Sequence, residues 1–150
     1  FMTKPSEMNS KWKEENKDVE FKLQDTYLYD DFAEVRELVK MLKADEVHRI
    51  RFMKLKSGDG ELDRHTDLVD TDSGVGDGKL MRIHFPVITN DKVLFESWDL
   101  TGHKQCVNMG INEAWLLDTR KPHRAVNNGD EDRVHLVIDI VSNPNARTLL

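Results

Sequence analysis

The sequence predicts a mainly β protein, a sandwich or barrel, with one helix ahead of the strands. Three observations support this fold class. Apolar residues recur with helical spacing in the segment that begins near residue 32. After that segment the chain changes to short apolar runs, several of which alternate with polar residues. Turn-forming residues, such as the Ser-Gly-Asp-Gly of 57–60, separate these runs.

Composition restricts the class of protein. The chain has 150 residues, 22 Lys+Arg and 28 Asp+Glu, hence a net charge of −6, and this length predicts one domain over 1–150. An acidic balance argues against nucleic acid as a partner. The apolar runs are too short to span a bilayer, and the first residues of the sequence contain no apolar run. We therefore expect neither a membrane partner nor a secretory signal. The single cysteine, Cys106, predicts a reducing, cytoplasmic location and is expected to be a small buried residue.

The N-terminal part divides into an arm and a helix. Residues 1–22 are rich in Lys and Glu and predict an arm or a frayed helix, ahead of a helix and core over 23–150. The helix is predicted over roughly 32–43, with Asp30 or Asp31 as its cap. Its apolar positions are Phe32, Val35, Leu38 and Leu42.

The rest of the chain predicts strands and loops. Another strand is expected to follow Lys121-Pro122, and a mobile loop over 70–78 is a candidate lid. The predicted strands cover 48–56, 80–88, 92–98, 104–109, 113–118 and 132–141.

A possible metal site is indicated by the His-x-Asp pair of His65 and Asp67. On an extended chain both side chains point to the same side, and His123 could complete two imidazoles and one carboxylate. That ligand set is typical of non-haem Fe(II) oxygenases, which keep open positions on the metal. Taken alone, such a pair is more often a histidine bonded to a nearby aspartate.

Two predicted strands have one apolar and one polar face. The polar side chains are Arg82 and His84 on the first strand and Arg133, His135 and Asp139 on the second. A solvated face explains either strand alone, but two such faces beside a His-x-Asp pair favour a polar cavity, because burying unpaired polar groups is costly. The guanidinium of Arg133 is suited to anchor a carboxylate there.

Together these segments resemble the aspartyl/asparaginyl β-hydroxylase-like branch of the Fe(II)/2-oxoglutarate dioxygenases. The sequence is also similar to the bacterial free-proline hydroxylases. The resemblance covers roughly 48–141 and rests on His65-Thr66-Asp67, Arg82-Ile83-His84-Phe85-Pro86, Trp115-Leu116-Leu117-Asp118, His123-Arg124-Ala125-Val126-Asn127 and the segment from Arg133 to Asp139.

The resemblance implies a double-stranded β-helix, a cupin-like jelly roll with the N-terminal helix packed on the barrel. It implies that an amino acid or peptide residue is hydroxylated with dioxygen, releasing succinate and carbon dioxide, with ascorbate as a supporting reductant. The implied Fe(II) ligands are His65, Asp67 and His123, which are also the catalytic residues. Arg133 and His84 are implied to bind 2-oxoglutarate, and Arg82 the carboxylate of the substrate.

This chain departs from both groups. The peptide-directed β-hydroxylases commonly have Gly where Asp67 stands. The proline hydroxylases lack the Arg-x-His of Arg82 and His84, and have a different residue in place of His135. The substrate therefore stays open. Asn127 matches the pattern without an implied role.

Other interpretations remain. A jelly-roll sensor could bind the metal and oxidise nothing, and an isomerase or lyase could use the same barrel, but neither needs Arg133. For several other residues an ordinary structural role is preferred. Phe95 and Trp98 are expected in the core rather than in a pocket wall, Trp115 in the core, His48 and His103 at the surface or in packing, and residues 130–132 in solvent. His135 is expected either to line the pocket or to support a neighbour.

Overall fold

The computed structural model describes residues 17–18, 25–67, 80–141, 143–144 and 148. Except for residues 17–18, the expected arm over 1–22 lies outside these ranges, and so does the expected lid over 70–78. No helix within the described ranges has the length and apolar character needed to cross a membrane.

The predicted helix is present but is divided near its beginning. A short helix α1 (Leu28–Asp31) is followed by α2 (Ala33–Met41), and Phe32 between them has φ −116° and ψ 77°. The prediction that Asp30 or Asp31 caps the helix is wrong. Both aspartates lie inside α1, and Phe32 occupies the position before α2 without a capping side chain.

Eight strands follow within the described residues, and most lie close to the predicted segments. The strand β2 was expected only as an extended segment around His65. Their bounds are β1 (Val47–Leu55), β2 (Gly60–His65), β3 (Leu80–Ile88), β4 (Val93–Trp98), β5 (Lys104–Val107), β6 (Trp115–Leu117), β7 (His123–Asn127) and β8 (Arg133–Val141).

The strands form two four-stranded antiparallel sheets with the orders β1-β8-β3-β6 and β2-β7-β4-β5. Apart from β4 and β5, which pair within one sheet, consecutive strands alternate between the two facing sheets. This is the double-stranded β-helix, and the expected fold class is confirmed. The pairing sets β8 between β1 and β3, so that three polar strand faces adjoin one another.

The apolar core lies between the helix and the outer face of the first sheet. Alternation along the strands directs one set of side chains toward α2 and the other set between the sheets. The buried core residues are Val35 and Leu42 from the helical region, Met81 and Ile83 from β3, and Leu136, Ile138 and Ile140 from β8. The polar residues of β3 and β8 therefore face the interior of the barrel, as the two-faced pattern predicts.

Two expectations about single residues are wrong. Cys106 is exposed, because it lies on β5, an edge strand whose side chains mostly face solvent. Trp115 is only partly buried and donates its indole N–H to Glu113 at 2.7 Å rather than entering the core. The acidic segment 130–132 is largely solvated as expected, although Asp132 forms an ion pair with Lys54.

Candidate active site

The fold brings the three predicted metal ligands together. His65 ends β2 and pairs with His123, which begins β7, so their imidazoles are neighbours. Asp67 follows two residues later, and its backbone N–H donates to Thr119 O at 2.9 Å. One ligand atom from each of the three side chains lies within 4.8 Å of the others, an arrangement compatible with a bound metal ion.

Hydrogen bonds orient both imidazoles toward the site. His65 Nδ1 lies 2.6 Å from Asp63 O, and His123 Nδ1 lies 2.9 Å from Lys121 O. Because a carbonyl oxygen only accepts, each Nδ1 must carry the proton, and in the neutral ring each Nε2 keeps its lone pair for a metal. Burial lowers the pKa of His123, which favours that neutral form.

A cavity of about 320 Å³ lies between the two sheets at this point. Its volume is near the lower end of the range for small-molecule sites, about 300–1,000 Å³. The lining residues include all three candidate ligands, four arginines (Arg49, Arg51, Arg82 and Arg133), His84, Thr119 and the apolar side chains of Met53, Leu62, Phe95, Leu117 and Ala125.

Arg133 is a buried cation without an anionic partner in the described part of the chain. The residue is 4% exposed, and its Nη2 lies 3.0 Å from His135 Nδ1. Its Nε is buried and makes no hydrogen bond with any described residue. Burial lowers the pKa of Arg133 to about 10. A buried guanidinium in this condition is suited to receive a carboxylate from a ligand.

His84 and His135 form a buried imidazole pair beside Arg133. Their Nδ1 atoms are 3.3 Å apart, and the rings meet edge to face with centroids separated by 5.6 Å. Burial, and then the charge of Arg133, lowers the pKa of His135 to about 3. Burial, and then His135, lowers the pKa of His84 well below its ordinary value. Both rings are neutral near pH 7, so His135 accepts a hydrogen bond from Arg133. His135 is not among the residues that line the cavity, so of its two expected roles it has the second, the support of a neighbour.

Arg82 contacts two carboxylates in the structure. It donates through Nε and Nη2 to Asp139 at 2.7 and 3.1 Å, and through Nη1 to Asp67. Burial raises the pKa of Asp139, but the hydrogen bonds and charge of Arg82 outweigh that effect and lower it. Asp139 is therefore an anion although it is only 1% exposed. The implied contact of Arg82 with a substrate carboxylate stays a prediction.

Two cavity arginines were missed at the sequence level. Arg49 and Arg51 lie on β1, and both form ion pairs with Asp139, at 3.3 and 3.5 Å. The alternation that predicts the polar faces of β3 and β8 is also present in β1. There Ile50 lies between the two arginines, and Phe52 follows Arg51. Ile50 packs toward the core, and Phe52 contacts Phe32 with ring centroids 5.4 Å apart.

The aromatic residues near the site have different positions. Phe95 lines the cavity and stacks on His123 with centroids 5.7 Å apart, so the preferred assignment to the core is wrong and the pocket-wall alternative is right. Trp98 does not line the cavity, and the guanidinium of Arg64 lies 4.3 Å from its ring centroid. His103 is exposed, and His48 is partly buried, as expected.

Asn127 has a structural role that the sequence did not reveal. Its Nδ2 lies 3.3, 3.0 and 2.8 Å from the carbonyl oxygens of Leu55, Lys56 and Glu131. Its Oδ1 accepts from the Gly129 backbone N–H at 3.1 Å and from the Asn90 side chain at 3.2 Å. The buried amide therefore fastens the end of β1 to the turn that precedes β8.

Two comparisons with known proteins found similar proteins. A cupin domain from Bordetella pertussis is similar in structure, with 16% identity, a TM-score of 0.42, and coverage of 65% of this chain and 91% of that one. The sequence profile of the aspartyl/asparaginyl β-hydroxylase family matches residues 3–143. The chain belongs to the aspartyl/asparaginyl β-hydroxylase family.

Proposed function

We propose that this chain is an Fe(II)- and 2-oxoglutarate-dependent dioxygenase that hydroxylates an amino acid or an amino-acid residue. The observation that carries the proposal is the presence, in one cavity, of a His-Asp-His cluster and a buried arginine. The first is suited to a metal ion, and the second to an anion. Membership of a hydroxylase family supports the reaction type.

The donor set of His65, Asp67 and His123 favours ferrous iron. Two imidazoles and one carboxylate on one side of an ion leave the remaining positions to small molecules, the arrangement used by non-haem Fe(II) oxygenases. When bound, iron and 2-oxoglutarate supply the oxidation: dioxygen is reduced, succinate and carbon dioxide leave, and one oxygen atom enters a substrate C–H bond.

The protein's own groups hold and orient the reactants. Arg133 neutralises the carboxylate of 2-oxoglutarate that is remote from the metal, and this contact satisfies a cation that burial disfavours. The ring of His84 also lines the cavity, and because it is neutral it adds no charge that competes with Arg133. Phe95 and Leu117 give the cavity apolar walls, which limit the access of water to the reacting groups.

The experiment is an assay of succinate release with Fe(II), ascorbate, 2-oxoglutarate and dioxygen, run with and without a panel of amino acids and peptides. The account predicts release that depends on iron and is increased by a substrate. Arg133→Ala should lower the affinity for 2-oxoglutarate about a hundredfold, because a charge-assisted pair is lost.

Arg120→Ala is the matched control, because Arg120 is exposed and pairs with Asp118 at 2.7 Å outside the cavity. Metal binding without any effect of 2-oxoglutarate would instead support a sensor, and would contradict the proposal. We also propose a cytoplasmic location, which is consistent with an exposed free thiol at Cys106.

A further inference from the structure

His135 is a buried imidazole that contacts both Arg133 and His84 through a single atom. Its Nδ1 lies 3.0 Å from Arg133 Nη2 and 3.3 Å from His84 Nδ1. The register of the sheet explains this convergence. Arg133 and His135 are two residues apart on the inward face of β8, and Pro86, the partner of His135 on β3, is two residues from His84. The three polar side chains therefore form one cluster with His135 at its centre.

The proton positions in this cluster follow from the chemistry of its donors. A guanidinium nitrogen can only donate, so His135 Nδ1 must be an acceptor and cannot carry a proton. The contact between the two Nδ1 atoms is then a hydrogen bond in which His84 Nδ1 donates. Because both rings are neutral near pH 7, His135 carries its proton on Nε2, and His84 carries its proton on Nδ1. One lone pair thus receives two donors.

This tautomer of His135 is unfavourable for a residue that only fills space. Its Nε2 is buried and makes no hydrogen bond with any described residue, although it carries the proton. The whole residue is 1% exposed. A buried N–H group without an acceptor destabilises the fold, and an apolar side chain of similar size would avoid that loss. Such a side chain would leave Arg133 and His84 without their acceptor, so the benefit of His135 lies in its Nδ1.

The contact with His135 restricts the guanidinium of Arg133. A long arginine side chain has many rotamers, and a hydrogen bond from Nη2 selects among them. Nε of Arg133 makes no hydrogen bond with any described residue, and the side chain lines the cavity. His135 thus holds one corner of the guanidinium and leaves other donors to a ligand. A neutral acceptor also keeps the positive charge available, whereas a carboxylate in the same place would compete with an anionic ligand.

The same contact determines what His84 offers to a ligand. With the proton on Nδ1, Nε2 of the neutral ring is an acceptor. His84 lines the cavity, and an acceptor there favours a hydrogen-bond donor over a carboxylate. The cluster therefore directs a carboxylate toward Arg133. The contact of His84 with 2-oxoglutarate that the resemblance implies stays a prediction.

We propose that His135 is a positioning residue for the binding of 2-oxoglutarate. Its one lone pair orients the guanidinium of Arg133 and fixes the tautomer of His84, so that the remote carboxylate of 2-oxoglutarate meets a preorganised cation. This inference rests on the proposed function, since it takes 2-oxoglutarate as the ligand of Arg133. His135 is not among the residues that line the cavity, and it acts on the ligand through Arg133.

The first test compares two side chains of similar size in place of His135. Asn keeps an acceptor near the position of the imidazole Nδ1, whereas Leu keeps the volume and removes the acceptor. The dissociation constant of 2-oxoglutarate is measured by calorimetry on Zn(II)-loaded protein. We expect His135→Leu to weaken binding about tenfold or more, and His135→Asn to stay within about threefold of the wild type. The control pair His103→Leu and His103→Asn, at an exposed position, should bind like the wild type.

A merely structural role of His135 predicts a different order. A buried apolar side chain destabilises less than a buried amide, so His135→Leu should unfold at a temperature no lower than His135→Asn while it binds 2-oxoglutarate more weakly. Equal binding of 2-oxoglutarate by the two variants would overturn the inference alone. Failure of the wild type to bind 2-oxoglutarate would contradict the proposed function itself.

A double-mutant cycle tests whether His135 acts through Arg133. In the Arg133→Ala background, the further change His135→Leu should leave the dissociation constant of 2-oxoglutarate nearly unchanged, because the group that His135 orients is gone. A second full loss in the double variant would show that His135 acts independently of Arg133, and would overturn the inference.

The last test uses the wild-type protein and does not depend on the folding of a variant. NMR spectra that correlate the ring nitrogens of histidine with the carbon-bound ring protons distinguish the two neutral tautomers. In Zn(II)-loaded protein near pH 7 we expect the proton of His135 on Nε2 and that of His84 on Nδ1. Either ring in the opposite tautomer, or a doubly protonated His135, would remove the shared acceptor and overturn the inference.

Discussion

The guanidinium of Arg82 is fixed to the buried carboxylate of Asp139 by two hydrogen bonds of 2.7 and 3.1 Å. Its remaining terminal nitrogen donates to Oδ2 of Asp67. The other oxygen of Asp67, Oδ1, lies 3.5 Å from His65 Nε2. The two oxygens of Asp67 therefore have separate neighbours, with one held by Arg82 and the other turned toward the candidate metal site.

Loss of the contacts that join Asp139, Arg82 and Asp67 should weaken metal binding, although neither Arg82 nor Asp139 is a candidate ligand. We expect Arg82→Lys and Asp139→Asn each to lower the affinity for Co(II) about 10- to 100-fold, the usual effect of losing a group that orients a ligand. The measurement is a Co(II) titration followed by visible absorption. Wild-type affinity in both folded variants would show that Asp67 does not need this support.

Removal of a candidate ligand should have a larger effect. His123→Ala and Asp67→Ala should each abolish the high-affinity binding of Co(II) and any succinate release, because two ligands cannot hold the ion in the same geometry. His103→Ala, at an exposed histidine, is the control and should bind Co(II) normally. If Asp67→Ala keeps full turnover, Asp67 is not a ligand.

Asn127 should be important for stability. Asn127→Ala removes the donor to three backbone carbonyl oxygens and the acceptor for the Gly129 N–H inside the protein. We expect the free energy of unfolding to fall by about 2–4 kcal/mol, since unsatisfied buried polar groups cost about 1–3 kcal/mol each and part of the loss relaxes. Urea unfolding provides the measurement. Asn128→Ala, at an exposed neighbouring residue, should change the free energy of unfolding little. Equal losses in the two variants would contradict the structural role of Asn127.

Acidic pH should destabilise the fold through the buried imidazoles. The pKa of His135 is lowered to about 3 in the native protein, whereas that of an unfolded histidine is about 6.5. Below about pH 6.5 the unfolded chain binds more protons, so stability falls as pH falls and is retained above that value. His135 alone should cost ~2 kcal/mol between pH 7.5 and 5.

Urea unfolding at several pH values, in the absence of metal, provides the test. His135→Gln should reduce the dependence on pH, whereas His103→Gln should leave it unchanged because His103 is exposed. A wild-type protein that is equally stable at pH 5 and 7.5 would contradict the assignment of neutral buried rings.

Local patterns predicted much of this fold. The helical spacing of Val35 and Leu42 located the apolar face of the helix, and alternation located the polar faces of β3 and β8. The same alternation in β1 could have located Arg49 and Arg51 on the cavity face of that strand. The position of Cys106 on an edge strand depended on the pairing of β4 with β5, which the pattern of a short run does not determine.

The roles of Arg82 and Asn127 could not be predicted from local patterns, because each depends on residues distant in sequence. Asp139 lies opposite Arg82 only through the register of β3 and β8. The carbonyl groups that contact Asn127 come from the end of β1 and from the turn before β8. Long-range register, rather than residue type, decides these contacts.

The most direct test of the central claim is the dissociation constant of 2-oxoglutarate for metal-loaded protein, measured by calorimetry with Zn(II). We expect binding that requires the metal, that Asp67→Ala abolishes, and that Arg133→Ala weakens about a hundredfold. Binding of 2-oxoglutarate that is unchanged by removal of the metal and by Arg133→Ala would contradict the account.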